Sequence, residues 1–169
     1  GKNNQVYLFQ VRKISTHANW NRSITLRVED SIKRIRGFVY EHQKVRPGVC
    51  GERSIFAQMP DWNPAEMIGT TPRPLALSLY RRMITDSTWR IARRKMGYTE
   101  PKGTPLMVSL DGQPFIDVRL SFNSFLPVDL APVIKEKLVN TWLGRLEEHH
   151  ELHDKIEFDI AITALTFDF

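Results

Sequence analysis

The sequence has little cysteine and no long apolar run. Its 169 residues include a single cysteine, Cys50, which excludes an internal disulfide and fits a reducing, cytoplasmic setting. No stretch of about 18 apolar residues is present, so no segment is predicted to span a membrane. The first residues, GKNN, carry one charge with no apolar segment behind it, and we expect no secretory signal there.

The chain is basic, with 24 Lys and Arg residues against 19 Asp and Glu residues and a formal charge of +5. This charge favours anionic partners such as nucleotides, phosphorylated metabolites or nucleic acid. The alternative is that the charge serves solubility alone. We find no convincing Ser-His-Asp or Cys-His arrangement, and therefore predict no catalytic residue in this chain.

Both ends of the sequence indicate a part of a longer protein. The chain lacks an initiator methionine, and it stops in ITALTFDF, an apolar strand pattern without a polar tail. Natural C-termini more often end in polar residues. We therefore expect a domain taken from a longer polypeptide.

Three segments have the periodicity of helices. The first begins near Ser23 and has an apolar stripe of residues three or four apart: Ile24, Val28, Ile32, Ile35 and Val39. The second is predicted from about Pro74 to Met96, where Gly97 is placed to end it. The third has Asp129 as its predicted N-cap and Pro132 in its first turn, with an apolar face of Leu130, Ile134, Leu138, Trp142 and Leu146.

Other segments alternate with the period of a strand. RSIFAQMP is predicted as a short strand, and Pro105 to Phe122 as a hairpin that turns at Asp111-Gly112. A last strand is predicted from Ile156 to Phe169, with Glu157 and Asp159 on its polar side. Because the hairpin requires antiparallel pairing, we predict an α+β domain, with a largely antiparallel sheet and about three helices packed on one face.

The opening strand places two polar side chains together. Gln10 and Arg12 are two residues apart and therefore lie on the same side of the strand. The forked guanidinium of arginine suits a phosphate or a nucleotide. The alternative is an exposed strand face with no ligand.

At this point the sequence resembles a known family. VYLFQVRKI resembles the closing strand of the nucleotide-binding domain of phosphoenolpyruvate synthases and pyruvate phosphate dikinases. Three later stretches resemble a region that follows this strand in such proteins: DWNPAEMIGTTPRPLALSLYRRMITDSTW, PFIDVRLSFNSF and ELHDKIEF. The family usually has a proline after the arginine, where this chain has Lys13.

The resemblance implies a function that the residues alone do not. It implies that residues 1–20 are the closing strand of an ATP-grasp-type domain, with Gln10 and Arg12 facing the nucleotide, and that 21–169 form an adjoining α+β domain. The parent protein would be a phosphotransferase that uses ATP and Mg²⁺, moving phosphate through a histidine to pyruvate or another small acceptor. Its glycine-rich loop and phosphohistidine are not recognisable here, so we expect this chain alone to be inactive.

A loop between two predicted elements is a candidate anion site. Asn63 is placed as an N-cap, with Pro64 and Glu66 following it as in a capping box. Thr70, Thr71 and Arg73 then lead into the second helix, whose free N–H groups can bind a phosphate or a carboxylate. The alternative is a loop that only begins the helix.

Two further patterns have simpler interpretations. His149 and His153 are four apart, but zinc needs more ligands than they provide, and we predict no metal site. Asp117 and Arg119 are interpreted as an ion pair on one strand.

The alternative function is a non-catalytic basic module that binds nucleic acid or a partner protein through its arginine-rich helices. Stacked aromatic residues among the basic ones would favour this function, and they are absent from the pattern.

Overall fold

The structure, a computed structural model, describes residues 22–101 and 103–162. The α-helices are α1 Arg22–His42, α2 Pro64–Ile68, α3 Pro74–Tyr80, α4 Thr88–Lys95, α5 Val118–Asn123, α6 Pro132–Glu148 and α7 Ile156–Ile162. A π-helical segment, Arg81–Thr85, follows α3 directly and leads to α4, and a 3₁₀ segment, His150–Asp154, precedes α7. The strands are β1 Phe56–Ala57, β2 Met107–Leu110 and β3 Gln113–Asp117. The class is α+β, as predicted.

The three strands form an antiparallel sheet in the order β1-β3-β2. The predicted turn is present between β2 and β3, because Leu110 pairs with Gln113 and only two residues separate them. Asp111 and Gly112 have φ of 51° and 87°. Two positive φ values in a two-residue hairpin loop match the right-handed twist of the strands, which is why Asp-Gly favours this turn.

The last part of the predicted hairpin, after Asp117, is helical rather than extended. The strand ends at Asp117, and the next six residues form α5. The Asp117 carboxylate accepts a hydrogen bond from the backbone N–H of Leu120 at 3.3 Å and thereby caps α5. Every residue from 116 to 126 is buried. The alternation of apolar and polar residues there does not separate a covered face from an exposed one.

The predicted last strand is also wrong within the described residues, where 156–162 form α7. Ile156 and Ile160 are buried, whereas Phe158 between them is 63% exposed. A strand would place all three side chains on one side, while a helix brings residues four apart onto one face. The predicted strand's residues 163–169 lie outside the described part.

The second predicted helix is interrupted. Between α3 and α4, the N–H of Asp86 donates to the carbonyl of Arg81, five residues back, at 2.8 Å. Ser87 then leaves helical geometry, with φ of −145°. The residues around this point, Thr85 to Thr88, are all weak helix formers whose side chains compete for backbone hydrogen bonds. The predicted stop at Gly97 is confirmed, since its φ is 86° and it follows the end of α4.

The remaining helix predictions hold in outline. α1 forms, but Ile24, Val28 and Ile32 of its stripe are exposed, and Ile35 and Val39 are half-buried. Two caps were also predicted. Asn63 caps α2 by accepting from the N–H of Glu66 at 3.3 Å, whereas α6 is preceded by Ala131 rather than Asp129.

The core lies where β3, α5, α6 and α7 meet. Its largest fully buried apolar side chains are Trp89, Phe122, Met59, Leu106, Ile116, Leu120, Leu126, Leu143 and Ile156. Trp142 of α6 packs edge-on against Phe122 of α5, with ring centroids 5.9 Å apart. Among the described residues, no helix combines the length and the apolarity needed to cross a bilayer.

Candidate functional site

The residues predicted from the sequence to contact a nucleotide, Gln10 and Arg12, lie outside the described residues. Their role stays a prediction. The predicted anion-binding residues Thr70, Thr71 and Arg73 are described, and all three are exposed in the loop between α2 and α3. Arg73 occupies the N-cap position of α3 without a side-chain cap. Anion binding at this loop also stays a prediction.

A different group of residues forms the strongest candidate site, which we call the Glu157 cleft. It is a cavity of about 230 Å³ lined on its polar side by Asp61, Arg93 and Glu157, and on its apolar side by Phe125 and Phe158 among others. These residues come from the loop before α2, from α4, from the segment just after α5 and from α7. The cleft therefore depends on four separate parts of the chain.

Arg93 forms one wall of the cleft and is only 8% exposed. Its guanidinium pairs with the Asp61 carboxylate, and its guanidinium carbon lies 4.0 Å from the centroid of the Phe125 ring. A guanidinium over an aromatic face is attracted by the ring's quadrupole. Burial lowers the pKa of Arg93, while the nearby Glu157 opposes this shift. Arginine nonetheless remains charged in proteins.

Glu157 is the most buried carboxyl group of the cleft, at 3% exposure. One of its oxygens hydrogen-bonds the Ser121 hydroxyl, and the other accepts the backbone N–H of Asp61 at 2.9 Å. Burial raises the pKa of Glu157 to about 7, although Ser121 and Arg93 favour its ionised form. Desolvation dominates because burial removes the water that would stabilise the charge.

This arrangement has two chemical capacities. A carboxyl group with a pKa near neutrality can both give and take a proton, which is the property of a general acid or base. It also lies beside a cavity, which is where such a group could meet a ligand. Ion-pair networks that serve only stability also shift pKa values, so the cavity is the feature that makes this cluster a candidate site.

A second buried polar cluster is structural. Arg119, predicted to pair with Asp117, instead donates to the backbone carbonyls of Gly51, His42 and Lys44 at 2.9, 2.8 and 3.1 Å. Asp117 pairs with Arg46 at 2.7 Å. The same-strand pairing was wrong because the strand ends at Asp117 and Arg119 belongs to α5; Asp117 stays near enough to favour the charged form of Arg119 without forming an ion pair with it.

This second cluster fixes the segment that follows α1. Asn123 accepts from the N–H of Cys50 at 2.8 Å and donates to its carbonyl at 2.9 Å. Burial and the neighbouring Glu136 raise the pKa of the Cys50 thiol. A raised pKa disfavours the thiolate, so Cys50 lacks the character of a reactive cysteine.

The two histidines that were considered as metal ligands, His149 and His153, contact different groups. His149 Nδ1 lies 3.2 Å from Glu151 Oε1, whereas His153 Nδ1 lies 3.1 Å from the carbonyl of Gln58. Within residues 22–101 and 103–162, no group of three or more His, Cys, Asp or Glu side chains has the geometry to hold a metal ion.

The fold and the cleft define an α+β protein with a small antiparallel sheet and a buried acidic site. Comparisons with protein-family models, with curated proteins and with solved structures found no match to this chain.

Sequence reasoning missed the Glu157 cleft. Asp61, Arg93, Ser121 and Glu157 have no motif spacing, since each lies at least 28 positions after the one before it in the chain. Glu157 was also placed on the solvent face of a predicted strand. One feature of the sequence could have indicated that Glu157 is buried. It lies one residue after Ile156 and three before Ile160, at the edge of an apolar face if this segment is a helix.

Proposed function

We propose that this chain is part of an ATP-dependent phosphotransferase resembling phosphoenolpyruvate synthase. Residues 1–20 would supply a nucleotide-facing strand with Gln10 and Arg12, and 21–169 would form the domain beside it. The parent protein would use ATP and Mg²⁺, transfer phosphate to pyruvate or another small acceptor, and act in the cytoplasm, as the single cysteine indicates.

The observation that supports this proposal most is that the three later stretches carrying the resemblance meet at one place. Asp61 begins the first stretch, Ser121 lies in the second and Glu157 in the third. The Glu157 carboxyl group contacts both of the other two residues. Parts of all three of these stretches therefore lie together in the fold.

The alternative, a basic module that binds nucleic acid, has less support. Such a module would use basic residues on α1, where Arg27, Lys33 and Arg36 are exposed, and the arginines of α4, which are already paired. Arg90 and Arg94 both pair with Glu100, at 2.9 and 3.2 Å, and Arg93 pairs with Asp61. Charges that are already neutralised in this way contribute little to the release of counterions from a phosphate backbone.

The proposal is tested on Arg12 in the full-length protein. Charge-assisted contacts to phosphate contribute about 1.5–3 kcal/mol, so Arg12→Ala should weaken ATP binding roughly ten- to a hundredfold in calorimetric titration. Lys13→Ala is the matched control, because the next side chain of a strand points to the opposite face. Equal ATP affinity of the Arg12 variant and the unmodified protein would remove the nucleotide-facing role.

A further inference from the structure

The Glu157 cleft contains one more negative charge than positive when both of its carboxyl groups are ionised. Asp61 and Glu157 each carry one negative charge, and Arg93 is the one cation among the residues described as lining the cavity. The Arg93 guanidinium is already paired with Asp61. Buried charges in proteins are normally paired. Arg93 also favours the ionised form of Glu157, so one guanidinium faces two carboxyl groups, and the described lining of the cleft lacks a second cation.

The neutral groups around Glu157 do not replace that cation. The Ser121 hydroxyl and the Asp61 backbone N–H each bond one carboxylate oxygen. They satisfy hydrogen bonds without supplying a full positive charge. The negative charge of Glu157 can be neutralised either by a proton or by a positively charged ligand. The rise in the pKa of Glu157 to about 7 shows that, without a ligand, a proton neutralises it readily.

The space beside Glu157 suits a ligand with an apolar body. The cavity of about 230 Å³ is walled by Phe125 and Phe158 in addition to the polar residues. Phe158 is 63% exposed, so its ring is accessible to a ligand beside the Glu157 carboxyl group. Aromatic faces attract cations as well as apolar groups.

We propose that the Glu157 cleft binds a small organic ammonium compound, whose charged group pairs with the Glu157 carboxylate while its apolar part lies against Phe125 and Phe158. This inference rests on the charges and walls of the cavity, and it does not depend on the phosphotransferase proposal.

Two other ligand classes fit the cleft less well. A metal ion requires more donors than two carboxylates, and the described residues contain no cluster of three suitable side chains. An anion would have to compete with Asp61 for Arg93 and would lie close to the carboxyl group of Glu157. An organic cation would have to share Asp61 with Arg93, but within the described residues Glu157 forms no ion pair of its own, and its carboxylate is the group such a ligand would contact.

The test uses benzylammonium chloride as the probe, titrated into the 169-residue chain and followed by chemical shift changes in amide NMR spectra. Benzyl alcohol has the same shape without the charge, and benzoate has the opposite charge. We expect benzylammonium to bind at least about tenfold more tightly than either, because one unpaired charge in a buried site outweighs the shared apolar contact. Shifts should centre on α7 and on the loop at Asp61.

The affinity for benzylammonium should also depend on pH. The charged groups that face Glu157 are Arg93 from α4 and Asp61 from the loop before α2. Because the ligand requires the ionised carboxylate, binding should be roughly tenfold weaker at about pH 6 than at about pH 8. The probe stays protonated across this range, so the change reports the protein.

Three variants separate the site from general effects. Glu157→Gln keeps the shape of the side chain and removes its charge, and it should weaken benzylammonium binding at least about tenfold. Phe158→Ala changes an exposed side chain, leaves the fold intact, and should weaken binding several-fold. Glu151→Gln is the matched control, because Glu151 is exposed on the 3₁₀ segment before α7 and does not line the cavity.

Each opposite result overturns the proposal. Equal affinity for benzyl alcohol would make the cleft a purely apolar pocket, and tighter binding of benzoate would make it an anion site at Arg93. The same spectral changes with KCl or MgCl₂ at equal ionic strength would indicate an inorganic cation site. An absence of benzylammonium binding, or unchanged binding in both Glu157→Gln and Phe158→Ala, would remove the site altogether.

Discussion

At the scale of single residues, Glu157 makes the stability of the protein depend on pH. Its pKa is raised from 4.5 to about 7 in the folded state. Between these values the folded state holds a proton that the unfolded state has released, so stability falls as pH rises. The advantage is complete below about pH 4.5 and is lost by about pH 7, a change of roughly 3 kcal/mol.

Urea unfolding at about pH 5 and about pH 7.5 checks this, with Glu157→Gln as the comparison. The unmodified protein should lose roughly 2–3 kcal/mol more than the variant between the two pH values, because other carboxyl groups titrate alike in both. The same pH dependence in both proteins would mean that Glu157 ionises normally in the folded state.

Gly51 is a second residue whose identity is required by its surroundings. Its φ is +100°, and an added Cβ would lie 2.7 Å from Val139 Cγ1 and 3.1 Å from Arg119 Cδ. Gly51→Ala therefore combines backbone strain with a clash in the core, and we expect the free energy of unfolding to fall by roughly 1–3 kcal/mol or more. Thermal or urea denaturation measures this directly.

Gly37→Ala is the control for that substitution. Gly37 lies within α1, and an added Cβ there meets nothing within 4 Å. Alanine is the better helix former by about 0.5–1 kcal/mol, so this variant should be slightly more stable than the unmodified protein. If both glycine variants changed stability by the same amount, the packing described around Gly51 would be incorrect.

At the scale of elements, local chemistry was predictable and burial was not. The Asp111-Gly112 turn, the Asn63 cap and the stop at Gly97 each follow from residues next to one another, and each is present. The segments of α5 and α7 were predicted as strands, because period-2 alternation was taken to mark one covered face. In α5 all six residues are buried, so alternation there has no relation to exposure.

A pair of substitutions in α7 distinguishes the helix from the predicted strand. In the helix, Ile160 is 3% exposed while Phe158 is 63% exposed. Ile160→Ala should then cost roughly 2–5 kcal/mol of unfolding free energy, as large-to-small core changes do. Phe158→Ala should cost less than about 1 kcal/mol, because it changes a surface side chain.

The strand prediction gives a different result for the same pair. Residues 158 and 160 would share one face of a strand, and both substitutions would then have similar costs. Urea denaturation of the two variants decides between these arrangements, and similar losses of stability would contradict α7.

At the scale of the whole molecule, the class of the fold was predictable while its candidate site was not. Antiparallel pairing followed from the hairpin, and the three longest helical patterns contain real helices. The Glu157 cleft joins residues from 60 to 161 through tertiary packing. No local spacing encodes such a set, since which polar side chains are buried depends on how α4, α5 and α7 pack together.

The distribution of burial also predicts that stability differs across the molecule. In α1, Leu26, Val28 and Ile32 are 51%, 41% and 42% exposed, and an aromatic group at its C-terminal end, Phe38 and His42 with Phe56, contacts the rest of the protein. A helix with few buried apolar contacts opens more easily than one in the core.

Hydrogen exchange followed by mass spectrometry tests this difference. Peptides from residues 24–36 should exchange at least roughly tenfold faster than peptides from 116–126, where every residue is buried. α6 is the matched control, because it is a long helix like α1 but buries Val139, Leu143 and Leu146. Its amides should be protected, which separates the effect of packing from that of helix length. Equal protection of α1 and α6 would mean that the exposed stripe of α1 is covered in solution.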